Sequence, residues 1–177
     1  MIGTIGTPVL FTILLRNSNF MFAFKRQSND CQSVVNHWKA IQDKCTASEF
    51  MNLFHVVLCD RGSEFDKPLA MESLTKSKKL KTHVFYCDPQ CPQQKGKIER
   101  NHEYIRFFVP KGYSFENLSQ SQINAMMNHI NSTHRDSLGG KSPFQALSKL
   151  QRRIIKKLGY TEISPDKVLL SSSLFKK

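Results

Sequence analysis

Two apolar segments joined by a short polar one lie near the N-terminus, and this pattern constrains the fold most. The segments occupy residues 8–15 and 20–26, and Arg16-Asn17-Ser18-Asn19 separates them. Apolar runs of this length on either side of turn-favouring residues are typical of a β-hairpin. The sequence therefore predicts two antiparallel strands, preceded at residues 1–6 by the remnant of another strand and a glycine turn.

Helical and strand patterns alternate along the next part of the chain. Residues 28–30 offer a helix N-cap, and the predicted helix extends to about residue 44 with one apolar face, formed by Val34, Val35, Trp38 and Ile41. Residues 54–60 form a short apolar run that suits a strand buried on both sides. A short helix at 67–80 and a strand at 81–89 follow. This order of elements indicates a mixed α/β domain.

Further helices are predicted in the second half of the chain. The first covers about 93–109 and ends before Pro110 and Gly112. The second covers 119–132 and has a buried stripe, formed by Ile123, Met126, Met127 and Ile130. Residues 142–145, Ser-Pro-Phe-Gln, read as a capping box with proline at the first helical position, which predicts a helix start. The last helix carries Arg152, Arg153, Lys156 and Lys157 and ends at Gly159.

The formal charge of +12 and the isoelectric point near 9.7 indicate a polyanionic partner, most simply nucleic acid. Residues 1–66 hold six basic and six acidic side chains, 67–111 hold ten and four, and 141–177 hold nine and two. The excess therefore lies in the second and last thirds of the chain. A basic surface that only maintains solubility is the alternative.

The five cysteines are odd in number and form no paired framework, which fits a reducing cytosol. The apolar run PVLFTILL is too short to span a bilayer. The N-terminus also lacks the charged region and cleavage site of a signal peptide. We therefore predict a cytoplasmic protein without a membrane partner.

Two carboxylates have the setting of a metal site. Asp60 ends an apolar strand, and Glu99 lies on a basic amphipathic helix. Two-metal phosphoryl-transfer sites are built this way, because Mg²⁺ needs hard oxygen ligands from separate rigid elements. Helical spacing places Lys95, His102 and Arg106 on the stripe of Glu99, on a side that faces solvent or phosphate. Taken alone, Asp60 also fits an ordinary turn, and Glu99 also fits a solvated helix face.

Three stretches of the chain carry a fuller pattern. They are LCDRGSEF at residues 58–65, VFYCDPQCPQQKGKIERNHEYIRFFVPKG at 84–112 and NSTHRDSLGGKSPFQAL at 131–147. Together they combine D-x-G-x-E-F, Y-C-D-P, K-G-x-x-E-x-x-N/H and P-K-G, which is far more specific than any one motif. On these residues the chain resembles bacterial insertion-sequence transposases of the DDE, integrase-core type, most closely the family named after insertion sequence 30.

The resemblance implies an RNase H-like core, a mixed sheet flanked by helices, at residues 1–147, and a basic C-terminal helix and tail at 148–177. It implies metal-dependent DNA cleavage and strand transfer at mobile-element ends. Asp60 would be the second carboxylate of the DDE triad and Glu99 the third, each holding Mg²⁺ or Mn²⁺. In this family one metal helps to form the attacking hydroxide or 3′-hydroxyl, and the other stabilises the leaving 3′-oxygen.

The resemblance also implies DNA as the partner, both the mobile-element ends and the target. Lys95, Arg100 and Arg106, on or beside the predicted basic helix, are candidates to contact phosphates. Lys111 and Arg135 match basic positions of the family pattern and have either the same role or a structural one. Phosphate contacts of this kind position DNA without reading its sequence.

Family members carry their first catalytic Asp on the first strand, and the resemblance places that position just before Met1. No acidic residue precedes Asp30. We therefore expect an N-terminally truncated core with its first strand largely missing, weak metal binding, little activity alone and exposed sheet edges. The alternatives are an inactive regulator that binds DNA or the full-length transposase, and a non-functional relic. The family also implies a nucleoid-associated location and possible homo-oligomers.

Other chemistry-bearing residues have simpler interpretations. Glu64 is interpreted as a carboxylate that orders the loop after Asp60 rather than as a metal ligand. Asp88, before Pro89, is interpreted as a residue that forms a turn at the end of a strand. A zinc site is disfavoured because its two halves are far apart in sequence and one lies on a predicted helix; its candidate ligands are Cys87, Cys91, His129 and His134.

Overall fold

The computed structural model describes residues 7–73 and 82–175, apart from the side chain of residue 92, and has a mixed α/β fold. The strands are β1 (Val9–Leu15), β2 (Phe20–Arg26), β3 (Val56–Cys59) and β4 (His83–Tyr86). The helices are α1 (Cys31–Asp43), α2 (Ala47–Phe54), α3 (Pro68–Glu72), α4 (Gly96–Arg106), α5 (Gln120–Ser132) and α6 (Lys149–Lys157). The chain forms two compact units: a hairpin unit (residues 1–28 and 96–177) and a parallel-sheet unit (residues 29–95). The predicted mixed α/β class is confirmed.

The predicted β-hairpin is present in the hairpin unit. Strands β1 and β2 pair antiparallel, with Val9 opposite Arg26 and Leu15 opposite Phe20. Asn19 closes the turn at a φ of 56°, a left-handed conformation that asparagine tolerates better than most residues. The strand remnant predicted at residues 1–6 lies outside the described residues.

Side-chain amides of α5 bond to the edge of β2 that faces away from β1. Asn131 accepts from the backbone N–H of Met21 at 2.9 Å and donates to its carbonyl at 2.8 Å. Gln120 in the same way accepts from the N–H of Lys25 and donates to the carbonyl of Ala23. These four bonds satisfy backbone groups that a further strand would otherwise pair with, and they fix α5 against the hairpin.

An aromatic cluster forms the core next to this contact. The ring of Phe20 packs edge-on against Phe144 at 5.0 Å and Tyr160 at 5.7 Å, and Phe22 packs against Tyr160 at 5.3 Å. The predicted stripe of α5 faces the interior and is completely buried, at Ile123, Met126, Met127 and Ile130. Aromatic pairs in these arrangements contribute about 0.5–1.5 kcal/mol each beyond burial.

The helix start predicted at Ser142 produces only a single turn, and the last helix begins later. The capping box does form, since Ser142 and Gln145 exchange hydrogen bonds between side chain and backbone, but it closes only one turn. Ser148 is extended, with a ψ of 161°, and a second capping box between Ser148 and Gln151 begins α6. The helix ends as predicted, at Gly159 with a φ of 94°.

Trp38 organises the core of the parallel-sheet unit. Its ring packs against Phe50 and Phe54 of α2 at 5.2 and 5.1 Å, and its Nε1 donates to the carbonyl of Met71 at 2.8 Å. The predicted first helix is confirmed as α1, with Asp30 as its N-cap. Helix α2 was not predicted from the sequence, although its capping box between Thr46 and Glu49 is a readable start signal.

Strands β3 and β4 form a two-stranded parallel sheet in which Val56 lies opposite His83 and Cys59 opposite Tyr86. The prediction that this first strand is buried on both sides is wrong. Val56 is 59% exposed and Leu58 is 41% exposed, because alternate side chains of β3 share a face that is not covered by the described residues of this unit. The short helix predicted at 67–80 is present as α3, and residues 74–81 lie outside the described residues. In the described ranges, none of the helices combines the length and apolar character that a bilayer crossing requires.

Candidate active site

Asp60 lies directly after β3, at the carboxyl edge of the parallel sheet. The neighbouring strand β4 ends at the same edge, where the N–H of Cys87 donates to the carbonyl of Cys59 at 2.9 Å. Asp88 lies two residues beyond the end of β4, whereas Asp60 lies one residue beyond the end of β3. In sheets of this kind, ligands bind outside the carboxyl ends of the strands.

The two carboxylate oxygens of Asp60 have different surroundings. Oδ2 accepts a hydrogen bond from Nζ of Lys95, in an ion pair whose side chains are 35% and 29% exposed. Oδ1 is buried and has no hydrogen-bond partner among the described residues. A buried, unpartnered carboxylate oxygen is costly and is one of the marks of a cation-binding position. Asp60 therefore fits a hard divalent cation such as Mg²⁺.

Asp60 is not part of a larger ligand cluster within residues 7–73 and 82–175. No three His, Cys, Asp or Glu side chains in these ranges group closely enough to hold a metal ion. Glu99 belongs to the hairpin unit, whereas Asp60 belongs to the parallel-sheet unit. A metal site shared by these two carboxylates remains a prediction.

Glu64 lies in the 3₁₀ turn Ser63–Phe65 that follows Asp60, and it is buried. Its carboxylate folds back over Gly62, where any Cβ would overlap the carboxylate atoms. Any other residue at position 62 would therefore displace the Glu64 carboxylate, although the φ of −70° itself is open to every residue. A carboxylate packed in this way is consistent with the interpretation of Glu64 as a group that orders the loop.

Asp88 and Gln94 hold the turn that leads to Lys95. The N–H of Asp88 donates to Oε1 of Gln94 at 2.9 Å, and Nε2 of Gln94 donates to the Asp88 carboxylate at 2.8 Å. Both bonds lie within one seven-residue turn, so Asp88 has the turn role expected of it. The turn places Lys95 at the point where it reaches Asp60.

The Cys59 thiol, which ends β3 beside Asp60, is unreactive. Burial raises the pKa of Cys59 to about 12, and the neighbouring charge of Asp60 contributes in the same direction. Since the thiolate is the form that attacks electrophiles and binds soft metals, Cys59 is inert near neutral pH. At the end of β3 the Asp60 carboxylate, rather than the Cys59 thiol, is therefore the available donor.

Helix α4 carries Glu99 and two of the candidate DNA contacts. It begins at Gly96 rather than near residue 93 and ends at Arg106 rather than near 109. Glu99, Arg100 and Arg106 are exposed. Lys95 precedes the helix and is half-buried against Asp60.

The predicted solvent-facing stripe of α4 is wrong at His102. This side chain is only 9% exposed and shares a 2.9 Å hydrogen bond with the hydroxyl of Thr12 on β1. The buried face of the helix consists of Asn101, His102 and Ile105. His102 therefore ties α4 to the hairpin instead of facing DNA.

Arg135 is buried and bonded inside the hairpin unit, which favours its structural alternative. Its guanidinium donates to the side-chain oxygen of Asn101 on α4 and, at 3.1 Å, to the carbonyl of Ile130 on α5. It also lies 4.0 Å from the centre of the Tyr104 ring. Burial lowers the pKa of Arg135 from its usual value. Lys111, by contrast, is exposed.

The candidate zinc ligands are divided between the two units. Cys87 and Cys91 belong to the parallel-sheet unit, and the two histidines belong to the hairpin unit. The Nδ1 of His129 already accepts from the N–H of Leu169 at 3.1 Å.

Comparison with curated proteins confirms the resemblance to insertion-sequence transposases. A putative integrase of a Spiroplasma virus is 29% identical over 137 residues, which cover 77% of this chain and 40% of that protein. The transposase of element IS4351 from Bacteroides fragilis is 28% identical over 99 residues, which cover 56% of this chain and 29% of that protein. An IS30 transposase of Escherichia coli is 26% identical over 138 residues, which cover 78% of this chain and 34% of that protein.

The chain thus matches at most 40% of the length of these three relatives. No protein-family model matches the chain.

Proposed function

We propose that this chain carries an RNase H-like catalytic region of a DDE transposase, which cleaves DNA at mobile-element ends and joins the 3′-hydroxyls to target DNA. The support is the similarity to proteins named as transposases and integrase, together with the motifs around Asp60 and Glu99. The net charge of +12 suits a DNA substrate.

One observation carries the proposal: Asp60 ends a parallel strand with one carboxylate oxygen buried and unpartnered among the described residues. In the proposal Asp60 and Glu99 each give a carboxylate to Mg²⁺ or Mn²⁺ binding. A bound divalent ion would supply Lewis-acid stabilisation of charge on phosphate and 3′-oxygen atoms. The protein contributes a rigid strand end at Asp60 and an exposed helical position at Glu99.

Cations near these carboxylates would hold the DNA backbone. Arg100, Arg106 and Lys111 are exposed and are proposed to contact phosphates. Lys95 is proposed to exchange its partner, from Asp60 to a phosphate oxygen, when a divalent ion takes over the Asp60 carboxylate. Arg135 is left out of this set because its guanidinium is buried.

A nicking assay on supercoiled DNA tests the proposal. The full chain is incubated with Mg²⁺ or Mn²⁺ beside Asp60→Asn and Asp88→Asn, which is a matched carboxylate at the same sheet edge. Metal-dependent nicking that Asp60→Asn abolishes and Asp88→Asn retains supports the proposal. Nicking that survives in Asp60→Asn contradicts it.

A second candidate function is a DNA-binding regulator without catalytic activity. The observation that favours it is the lack of a three-ligand metal cluster within the described residues. Such a protein would bind DNA, or a full-length transposase as a partner, and compete with it. Binding that weakens steeply with salt, with no nicking by the wild type, would favour this candidate.

A further inference from the structure

The segment around α6 carries positive charge without any compensating acid. Between Asp136 and Glu162 the sequence has six basic residues and no acidic one. Five of the six lie on α6 itself, namely Lys149, Arg152, Arg153, Lys156 and Lys157.

These charges oppose the stability of the helix that carries them. Lys149 is the first helical residue, where the positive end of the helix dipole disfavours a cation, and the first turn has no acidic residue. Lys149 and Arg153 are like charges four residues apart, as are Arg153 and Lys157, and such pairs are destabilising. Only the cations in the last turn interact favourably with the dipole. Helix stability therefore does not account for the pattern.

The stability of α6 comes from its cap and its apolar face. Ser148 and Gln151 form a capping box, while Ile154 and Ile155 are fully buried. Because this apolar face is packed inside the protein, α6 cannot lie in a lipid interface with its apolar side in the membrane. What it offers to a partner is its charged side.

The exposed cations line up on one side. Lys149, Arg153 and Lys156 are spaced by four and three residues, so they form one stripe, called here the basic stripe, and all three are exposed. At a rise of about 1.5 Å per residue the stripe is about 10 Å long. Duplex DNA carries one phosphate charge per about 1.7 Å of its axis, so a stripe of this length can meet several phosphates.

We propose that the basic stripe of α6 binds the phosphate backbone of duplex DNA, through residues other than Asp60, Glu99 and the phosphate contacts proposed above. The choice of DNA over other polyanions rests on the proposed function. Contacts from lysine and arginine to phosphate oxygens position DNA without reading its sequence. In the proposal the stripe therefore holds duplex DNA of any sequence.

The test measures binding of a fluorescent DNA duplex to the full chain by anisotropy, without metal, at several salt concentrations. The test variant replaces Lys149, Arg153 and Lys156 by Gln, a good helix former. The control variant replaces three exposed lysines of the parallel-sheet unit by Gln and changes the net charge equally; its positions are Lys39, Lys44 and Lys67.

We expect the test variant to bind about 10- to 100-fold more weakly at 0.1 M salt, with the slope of log K against log salt reduced by about 2–3, at roughly 0.9 per lost phosphate contact. The control variant should keep the wild-type slope. Equal slopes for the two variants, or a wild-type slope in the test variant, overturn the proposal.

Two further arms keep the result decisive. A variant with Lys149→Arg, Arg153→Lys and Lys156→Arg keeps the charges and should bind as the wild type does; if it loses affinity, a simple phosphate contact is refuted. A duplex RNA or an acidic polypeptide that binds the stripe more tightly than DNA also overturns the proposal.

Metal-dependent nicking by the same variants reports on Asp60 independently, so failure of the catalytic assignment leaves the comparison of slopes intact.

Discussion

Replacing Arg135 by methionine should destabilise the protein without removing a DNA contact. The guanidinium makes hydrogen bonds to Asn101 and Ile130 and lies over the ring of Tyr104. Hydrogen bonds from a charged donor contribute about 1.5–3 kcal/mol each, and a cation–π contact contributes about 1 kcal/mol. Part of this sum offsets the desolvation of a buried cation.

We therefore expect the free energy of unfolding to fall by about 3 kcal/mol in Arg135→Met, since the Asn101 oxygen stays buried without its donor and the Ile130 carbonyl keeps only its bond from the N–H of Thr133. Urea unfolding followed by circular dichroism measures the change. Lys111→Met, at an exposed cation, is the control and should change stability by less than about 0.5 kcal/mol.

The reasoning is refuted if Arg135→Met unfolds like the wild type and instead binds duplex DNA with a lower salt slope. That result would make Arg135 a phosphate ligand. Arg135→Lys offers a finer check, because lysine keeps the charge but lacks the planar fork. It should recover only part of the lost stability.

Three further predictions concern the carboxyl edge of the parallel sheet. Lys95→Met should raise the Mn²⁺ affinity of Asp60 a few-fold by removing a partly exposed counter-charge; unchanged affinity in a paramagnetic resonance titration would show that the two cations do not compete. Gly62→Ala should lower the melting temperature because its methyl group meets the Glu64 carboxylate, and calorimetry showing no shift would contradict this packing. The pKa of Cys59 is about 12 in the folded protein and near 9 in the unfolded chain, so its contribution to stability is fully present below pH 9 and should be lost as the pH rises from about 9 towards 12. A Cys59→Ser variant that loses as much stability as the wild type over this range would show that Cys59 is not the cause.

Local signals in the sequence were sufficient to predict an element where its backbone hydrogen bonds are satisfied within that element. The polar turn from Arg16 to Asn19 predicts the hairpin, and Asp30 predicts the start of α1. The stripe of α5 follows from helical spacing alone, because its apolar side faces the hairpin. In each case a turn, a cap or a periodic face is contained in a few neighbouring residues.

The failures occur where the outcome depends on packing. The capping box at Ser142 predicts a helix, but the chain forms only one turn and is extended at Ser148. Helix α6 starts after Ser148 instead. The apolar composition of β3 suggests burial on both sides, yet burial depends on which elements cover the strand. Val56 and Leu58 remain exposed because the described residues of the parallel-sheet unit leave their face uncovered.

The site residues show the same division. Asp60 and Glu99 are identified by their motif, and Asp60 has the strand-end position expected of it. The burial of His102 and Arg135 could not be predicted, because their partners, Thr12 and Asn101, are distant in sequence. A helical wheel assigns His102 to the stripe of Glu99, and only the docking of α4 on β1 shows which side is covered.

The central claim is that Asp60 and Glu99 both bind the divalent ion of a DNA-cleaving site. Mn²⁺ titration of the full chain, followed by paramagnetic resonance, tests it most directly, with Asp60→Asn, Glu99→Gln and Glu103→Gln compared with the wild type. Glu103 is an exposed carboxylate on the same helix as Glu99. We predict that the first two variants bind Mn²⁺ more weakly and that Glu103→Gln does not. Wild-type affinity in either Asp60→Asn or Glu99→Gln would contradict the claim.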